Sequence, residues 1–163
     1  MAMAVKSGKG MLPAGAKAPG FRLKGVDGSD HTLDQLISTG PVLLAFFKVS
    51  CPVCQFTFPF LERARNGEID IYGISQDGEK QTREFQRAFG VTFPVLLDQA
   101  SEGYQASHGF NITHVPSMFL VMPGGEISSS WTGWSKASMK AFGEKTGETV
   151  VREGEDVPDL RPG

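Results

Sequence analysis

The chain has 163 residues, a formal net charge of −2, and 40% hydrophobic against 21% charged residues, which suits one globular domain with a substantial core. That charge gives no electrostatic case for nucleic acid or an anionic membrane, and no apolar run approaches the ~20 residues of a membrane span. Twelve phenylalanines against two tyrosines point to aromatic residues placed mainly for core packing.

Residues 1–13 read as a flexible tail broken by Gly8, Gly10 and Pro13, residues 14–146 as the folded domain, and residues 147–163 as a polar C-terminal tail, disordered or laid on the surface. Met1 to Lys17 is basic but lacks an apolar h-region, so it is no signal peptide as written. The chain thus reads as cytoplasmic as it stands, and as periplasmic or otherwise extracytoplasmic if a signal has been removed. Phe21-Arg22-Leu23 alternates like a short strand, Val26 to Ser29 is a hairpin-type turn, and Thr32 caps a short helix through Leu33 and Leu36. Val42 to Phe47 is a continuous apolar run suited to a central strand buried on both faces.

The most informative residues come next. Cys51-Pro52-Val53-Cys54 follows that strand and opens a helix to about Arg65, with Phe56, Phe60 and Leu61 on one side and Pro59 predicting a kink. A C-x-x-C on a first helical turn brings two sulfurs close enough for a small disulfide ring. Cys51 stands at the helix N-terminus, where free N–H groups and the dipole stabilise a thiolate. Pro52 suits the first helical position, and Lys48 is a nearby positive charge. Two other readings compete. Zinc needs four ligands, and the only completion is His108 and His114, more than fifty residues downstream. Two buried structural thiols are the second, since free cysteine packs as a small hydrophobe.

Ile69 to Ser75 reads as a strand, followed by a charged helix from Glu79 to Phe89 with Phe85, Ala88 and Phe89 at helical spacing. Phe93 to Leu97 is a strand, 101–108 a short helix, and Ser117–Val121 and Glu126–Trp131 two strands around the turn Pro123-Gly124-Gly125. A final helix spans about Lys136–Lys145. This order describes an α/β fold, a central mixed sheet flanked by helices. An open sheet of that kind places its chemistry at the carboxyl ends of its strands, where the dithiol lies.

Several stretches in order resemble the thioredoxin superfamily, specifically its TlpA/ResA and AhpC/TSA-like branch. They are Gly15 to Phe21, Leu33 to Leu36, Pro41 to Cys54, Phe93 to Asp98, His114 to Val121 and Gly124 to Gly133, covering about residues 14–145. The resemblance implies a thioredoxin-like fold with an N-terminal strand extension. It also implies thiol–disulfide exchange by Cys51 and Cys54 with protein disulfide substrates, fed by an upstream thiol reductant, with no cofactor and as a monomer. Pro116 is then a cis proline facing the C-x-x-C. Pro52, Val115 and Pro116 contact the substrate, and Trp131 or Trp134 lines its approach.

Three positions depart from that pattern. Ser50 replaces the tryptophan that usually precedes the first cysteine. Ala45 and Thr57 stand where relatives carry a buried acid serving the second cysteine. Glu62, the nearest downstream carboxylate on the helix, reads as a solvated surface residue. Two alternative functions remain. A peroxiredoxin-like peroxidase would carry Thr or Ser three residues before its reactive cysteine, where Lys48 stands before Cys51. A thioredoxin-fold copper module would hold copper(I) on the two thiolates with His108 or His114 as third ligand. His31 carries no argument.

Overall fold

The computed structural model describes residues 10–163, so the reading of a flexible tail over 1–13 falls mostly outside the described residues. Met11 and Leu12 are partly buried against the core, and the Leu12 N–H donates to Phe110 O at 3.2 Å.

β1 (Arg22–Gly25) and β2 (Asp30–Thr32) form a hairpin. Asp27 closes its turn by accepting from the Ser29 N–H at 3.0 Å and the Ser29 hydroxyl at 2.6 Å, and Gly28 supplies the φ of +89°. The one-turn helix α1 (Leu33–Leu36) starts from a capping box: the Gln35 N–H donates to Thr32 Oγ1, and the Thr32 N–H donates to Gln35 Oε1.

β3 (Val42–Phe47) is buried at all six positions. Leu43, Ala45 and Phe47 face one core cluster, and Val42, Leu44 and Phe46 face the other, as strand alternation requires. The strand pairs parallel with β4 (Asp70–Ser75) and antiparallel with β6 (Ser117–Val121). With β5 (Val95–Leu97) and β7 (Ile127–Thr132), the seven-stranded order is β2-β1-β5-β4-β3-β6-β7. Helices α2 (Pro52–Glu62), α3 (Glu79–Phe89) and α5 (Lys136–Thr146) contribute Phe58, Leu61, Phe85, Met139 and Phe142 to the first cluster. The second cluster holds Phe21, Leu33, Phe110 and Phe119, with Ala106 from α4 (Gln105–Gly109). The α/β mixed sheet expected from the element order is present.

Four local readings change. On α2 the buried stripe is Val53, Cys54, Thr57, Phe58 and Leu61. Phe56 and Phe60 turn to a second neighbour, each 4.9 Å from the Trp134 ring, because α2 is covered on two sides. On α3 the buried positions are Thr82 and Phe85, and Ala88 is exposed; the Thr82 hydroxyl is satisfied by Ser75 at 2.7 Å, which lets a polar residue take the inner position.

Glu62 is not a solvated glutamate. It accepts from the Thr92 N–H at 2.8 Å, the Thr92 hydroxyl and the Phe93 N–H at 3.3 Å, tying α2 to the loop before β5. The 147–163 segment is laid on the body of the protein with Val150 and Val151 buried in the first cluster. Its last strand, β9 (Leu160–Arg161), pairs antiparallel with β8 (Trp134–Ser135).

Arg63 anchors that segment. Its guanidinium donates to both Glu155 carboxylate oxygens at 2.8 Å and to Val150 O at 2.8 Å. The Arg63 guanidinium hydrogen-bonded to it holds the Glu155 carboxyl down to about 2, below the unfolded value of about 4.3. A group depressed in the folded state contributes stability above its unfolded pKa and loses it as pH falls through the folded one, here from about 4.5 toward 2. Arg63→Ala is expected to lower stability by about 1–2 kcal/mol at neutral pH, solvent screening included. The difference from the unmodified protein should shrink as pH falls below 4, and urea unfolding at neutral and acid pH checks both.

Candidate active site

The dithiol is positioned by the end of β3 and the start of α2, and the turn between them is held from the side. The Val49 N–H donates to Asp77 Oδ2 at 2.8 Å, and Gln55 Nε2 donates to Val49 O at 2.9 Å. Asp77 is itself fixed, since its N–H donates to Ser75 Oγ at 3.0 Å and that hydroxyl pairs with Thr82. Sequence reasoning missed Asp77. The signal was its place two residues beyond β4, the parallel neighbour of β3, which brings it to the same carboxyl edge. Asp77→Ala leaves a half-buried amide unpaired beside the dithiol. A loss of about 1–2 kcal/mol is expected in denaturant unfolding, with slower alkylation or disulfide exchange at Cys51 in a stopped-flow trace.

Cys51 is the N-cap of α2, with extended backbone (φ −82°, ψ 115°) and Pro52 behind it at the first helical position. The Cys54 N–H donates to Cys51 Sγ at 3.1 Å, so the sulfur takes the capping role an oxygen usually fills. The Cys51 thiol in turn donates to Val115 O at 3.4 Å. The two cysteines differ in access: Cys51 is partly exposed and Cys54 is buried. Burial, reinforced by the hydrogen bond with Cys51, pushes the Cys54 thiol far above the ordinary thiol range.

The third component comes from a distant part of the chain. The Val115–Pro116 peptide bond is cis, Val115 is half-buried and Pro116 is buried. Pro116 O accepts from the Gly133 N–H at 2.8 Å and from the Thr132 hydroxyl at 3.1 Å, so β7 and the turn after it hold this loop against the sulfur. Pro52 is exposed beside Cys51. The structure therefore brings together Cys51, Pro52, Cys54, Val115 and Pro116.

Other candidates are placed elsewhere or in other roles. Ala45 and Thr57 are fully buried, and the Thr57 hydroxyl has no partner among the described residues. Ser50 and Lys48 are exposed. Trp134 is fully buried, with its indole N–H donating to Pro158 O at 2.7 Å, so it is a core residue under the C-terminal segment. Trp131 is half-buried. His108 and His114 are exposed, His114 Nδ1 lying 3.1 Å from Thr113 Oγ1. Among the described residues no three His, Cys, Asp or Glu side chains gather as a metal site. His31 pairs with Ser29 in the hairpin at 2.8 Å.

The chain is similar to several known proteins. The chain is 28% identical over 141 residues to the thiol–disulfide oxidoreductase ResA of Bacillus subtilis, covering 83% of this chain and 76% of that protein. It is 27% identical over 130 residues to the protein of that name in Geobacillus kaustophilus, covering 77% and 72%. Among solved structures, it superposes on the thioredoxin domain of a thiol–disulfide oxidoreductase from Bacteroides vulgatus with a TM-score of 0.72 at 22% identity, covering 82% of this chain and 97% of that one. That superposition shows the thioredoxin-like fold. Residues 14–130 match the family model described as AhpC/TSA, and the chain belongs to that family.

Proposed function

We propose that the protein is a thiol–disulfide oxidoreductase that reduces protein disulfides through Cys51 and Cys54. The observation that carries this reading is the asymmetric pair. One sulfur is reachable at a helix N-terminus, and the other lies one turn behind it, buried and held protonated. Cys51, as thiolate, attacks one sulfur of the substrate disulfide; a mixed disulfide forms and one substrate thiolate leaves. Cys54 then gives up its proton and attacks Cys51 Sγ, forming the intramolecular disulfide and releasing the second substrate thiolate. Two electrons and two protons pass from the dithiol to the substrate. Once Cys51 is ionised it no longer donates to Val115 O but keeps the Cys54 amide. That carbonyl then loses the Cys51 thiol as its donor and can take a substrate amide in its place, with Pro52 and Pro116 as the walls beside it.

The reducing direction is part of this proposal, and the equilibrium potential of the Cys51–Cys54 pair tests it. With Ala45 and Thr57 in the acid positions, the Cys54 proton leaves through water or a more distant group. No helix among the described residues is long and apolar enough to cross a membrane. Turnover of insulin disulfides by the chemically reduced protein tests the reading. Stoichiometric loss of insulin disulfide with formation of the Cys51–Cys54 disulfide supports it, and unchanged insulin removes it.

A further inference from the structure

Residues 158–163 run to the Val115–Pro116 loop that faces the reactive sulfur. The Pro158 carbonyl accepts from the Trp134 indole at 2.7 Å, and Asp159 O accepts from the Lys136 N–H at 2.9 Å. Arg161 then pairs with Trp134 in the β8–β9 ladder and lays its guanidinium 5.1 Å over the Phe56 ring on α2. From there the backbone passes Gly133, where a β-carbon would fall 2.4 Å from Arg161 O and 2.9 Å from the residue 163 nitrogen. The segment ends against the Val115–Pro116 loop. A β-carbon on Gly163 would lie 2.4 Å from Val115 O, the same carbonyl that accepts from Cys51 Sγ. Two glycines thus let one stretch of backbone pack onto the atom beside the thiol.

The hold on this stretch is weak where it meets the site and strong behind it. Val150 and Val151 are in the core, and Arg63 clamps Glu155. By contrast, β9 has two residues, and Leu160 is 72% exposed. Few buried contacts and a two-residue ladder mark a segment that opens locally at low cost.

We propose that residues 158–163 form a displaceable strap over the Val115 side of Cys51, which selects among disulfide substrates by size. A small disulfide reaches the partly exposed Cys51 sulfur with the strap in place. An extended peptide carrying a disulfide needs the Val115 carbonyl and must lift the strap first. Its apparent affinity falls by the fraction of molecules in which the strap is open. This inference rests on the exchange chemistry of Cys51 proposed above.

The test compares insulin with glutathione disulfide as substrates for the full chain, for a chain ending at Val157, and for Gly163→Val. The valine substitution lifts the tip from Val115 at an exposed position and leaves the Trp134 cover intact. The expected result is a kcat/KM for insulin raised about fivefold or more by truncation and less by Gly163→Val, with glutathione disulfide changed by under about twofold. A second readout uses Cys54→Ser trapped as a mixed disulfide with a peptide. Hydrogen exchange at the Lys136 amide, protected by Asp159 in the free protein, should accelerate in the trapped complex. Parallel changes for both substrates, or a Lys136 amide equally protected in the complex, overturn the strap. If the full chain reduces neither substrate, the exchange reading itself falls, and the strap with it.

Discussion

Cys51→Ser is expected to lower disulfide reduction by at least about a thousandfold, since it removes the attacking atom and no other thiol can reach the substrate. Cys54 is fully buried and its thiol is pushed far up by that burial, so it supplies neither access nor a thiolate. Cys54→Ser should behave differently. Cys51 still attacks, but nothing resolves the adduct, and the mixed disulfide accumulates with one molecule of substrate per chain. Intact-mass measurement without reductant separates the two variants. A Cys54→Ser variant that turns over normally, or a Cys51→Ser variant that forms the adduct, would reverse the roles assigned to the two sulfurs.

Phe58→Ala should give the largest stability loss, about 3–5 kcal/mol out of a total of about 5–15 kcal/mol for a domain of this kind. Phe58 is fully buried, with ring centroids 4.5 Å from Phe47, 5.6 Å from Phe85 and 5.8 Å from Phe93. It lies four residues beyond Cys54, on the same face of α2. The ring that seats the helix on β3 and α3 is therefore one turn from the buried thiol. Its loss should also raise the rate at which Cys54 reacts with a small alkylating agent, because local opening then exposes the thiol. Urea unfolding and timed alkylation check the two effects separately.

The parts of the fold and site legible in the sequence are those written in local pattern. Six consecutive apolar residues at 42–47 announced a strand covered on both faces. Thr32 announced a helix start, and C-P-V-C after a strand announced a dithiol at a helix N-terminus. The residues that escaped act across long separations. Asp77 meets Val49 across 28 positions and Glu62 meets Thr92 across 30, so neither acid carries a local sign of its partner. Arg63 meets Glu155 across 92 positions, and it gathers in a segment whose polar composition alone reads as a loose tail. Val150 and Val151 were the apolar signal there, too short to show a period. Ala88 matched helical spacing yet faces solvent, because spacing finds two faces of a short helix and only packing chooses one.

Cys51 and Cys54 should form a reversible disulfide of reducing character. Equilibrating the full chain in glutathione buffers of graded ratio, then counting free thiols by alkylation and mass, measures it directly. The expected result is loss of both thiols together as one intramolecular disulfide, with a potential below about −200 mV, on the side of thioredoxin rather than of the strongly oxidising DsbA. A pair that stays reduced across all ratios, or a potential near about −120 mV, would contradict it.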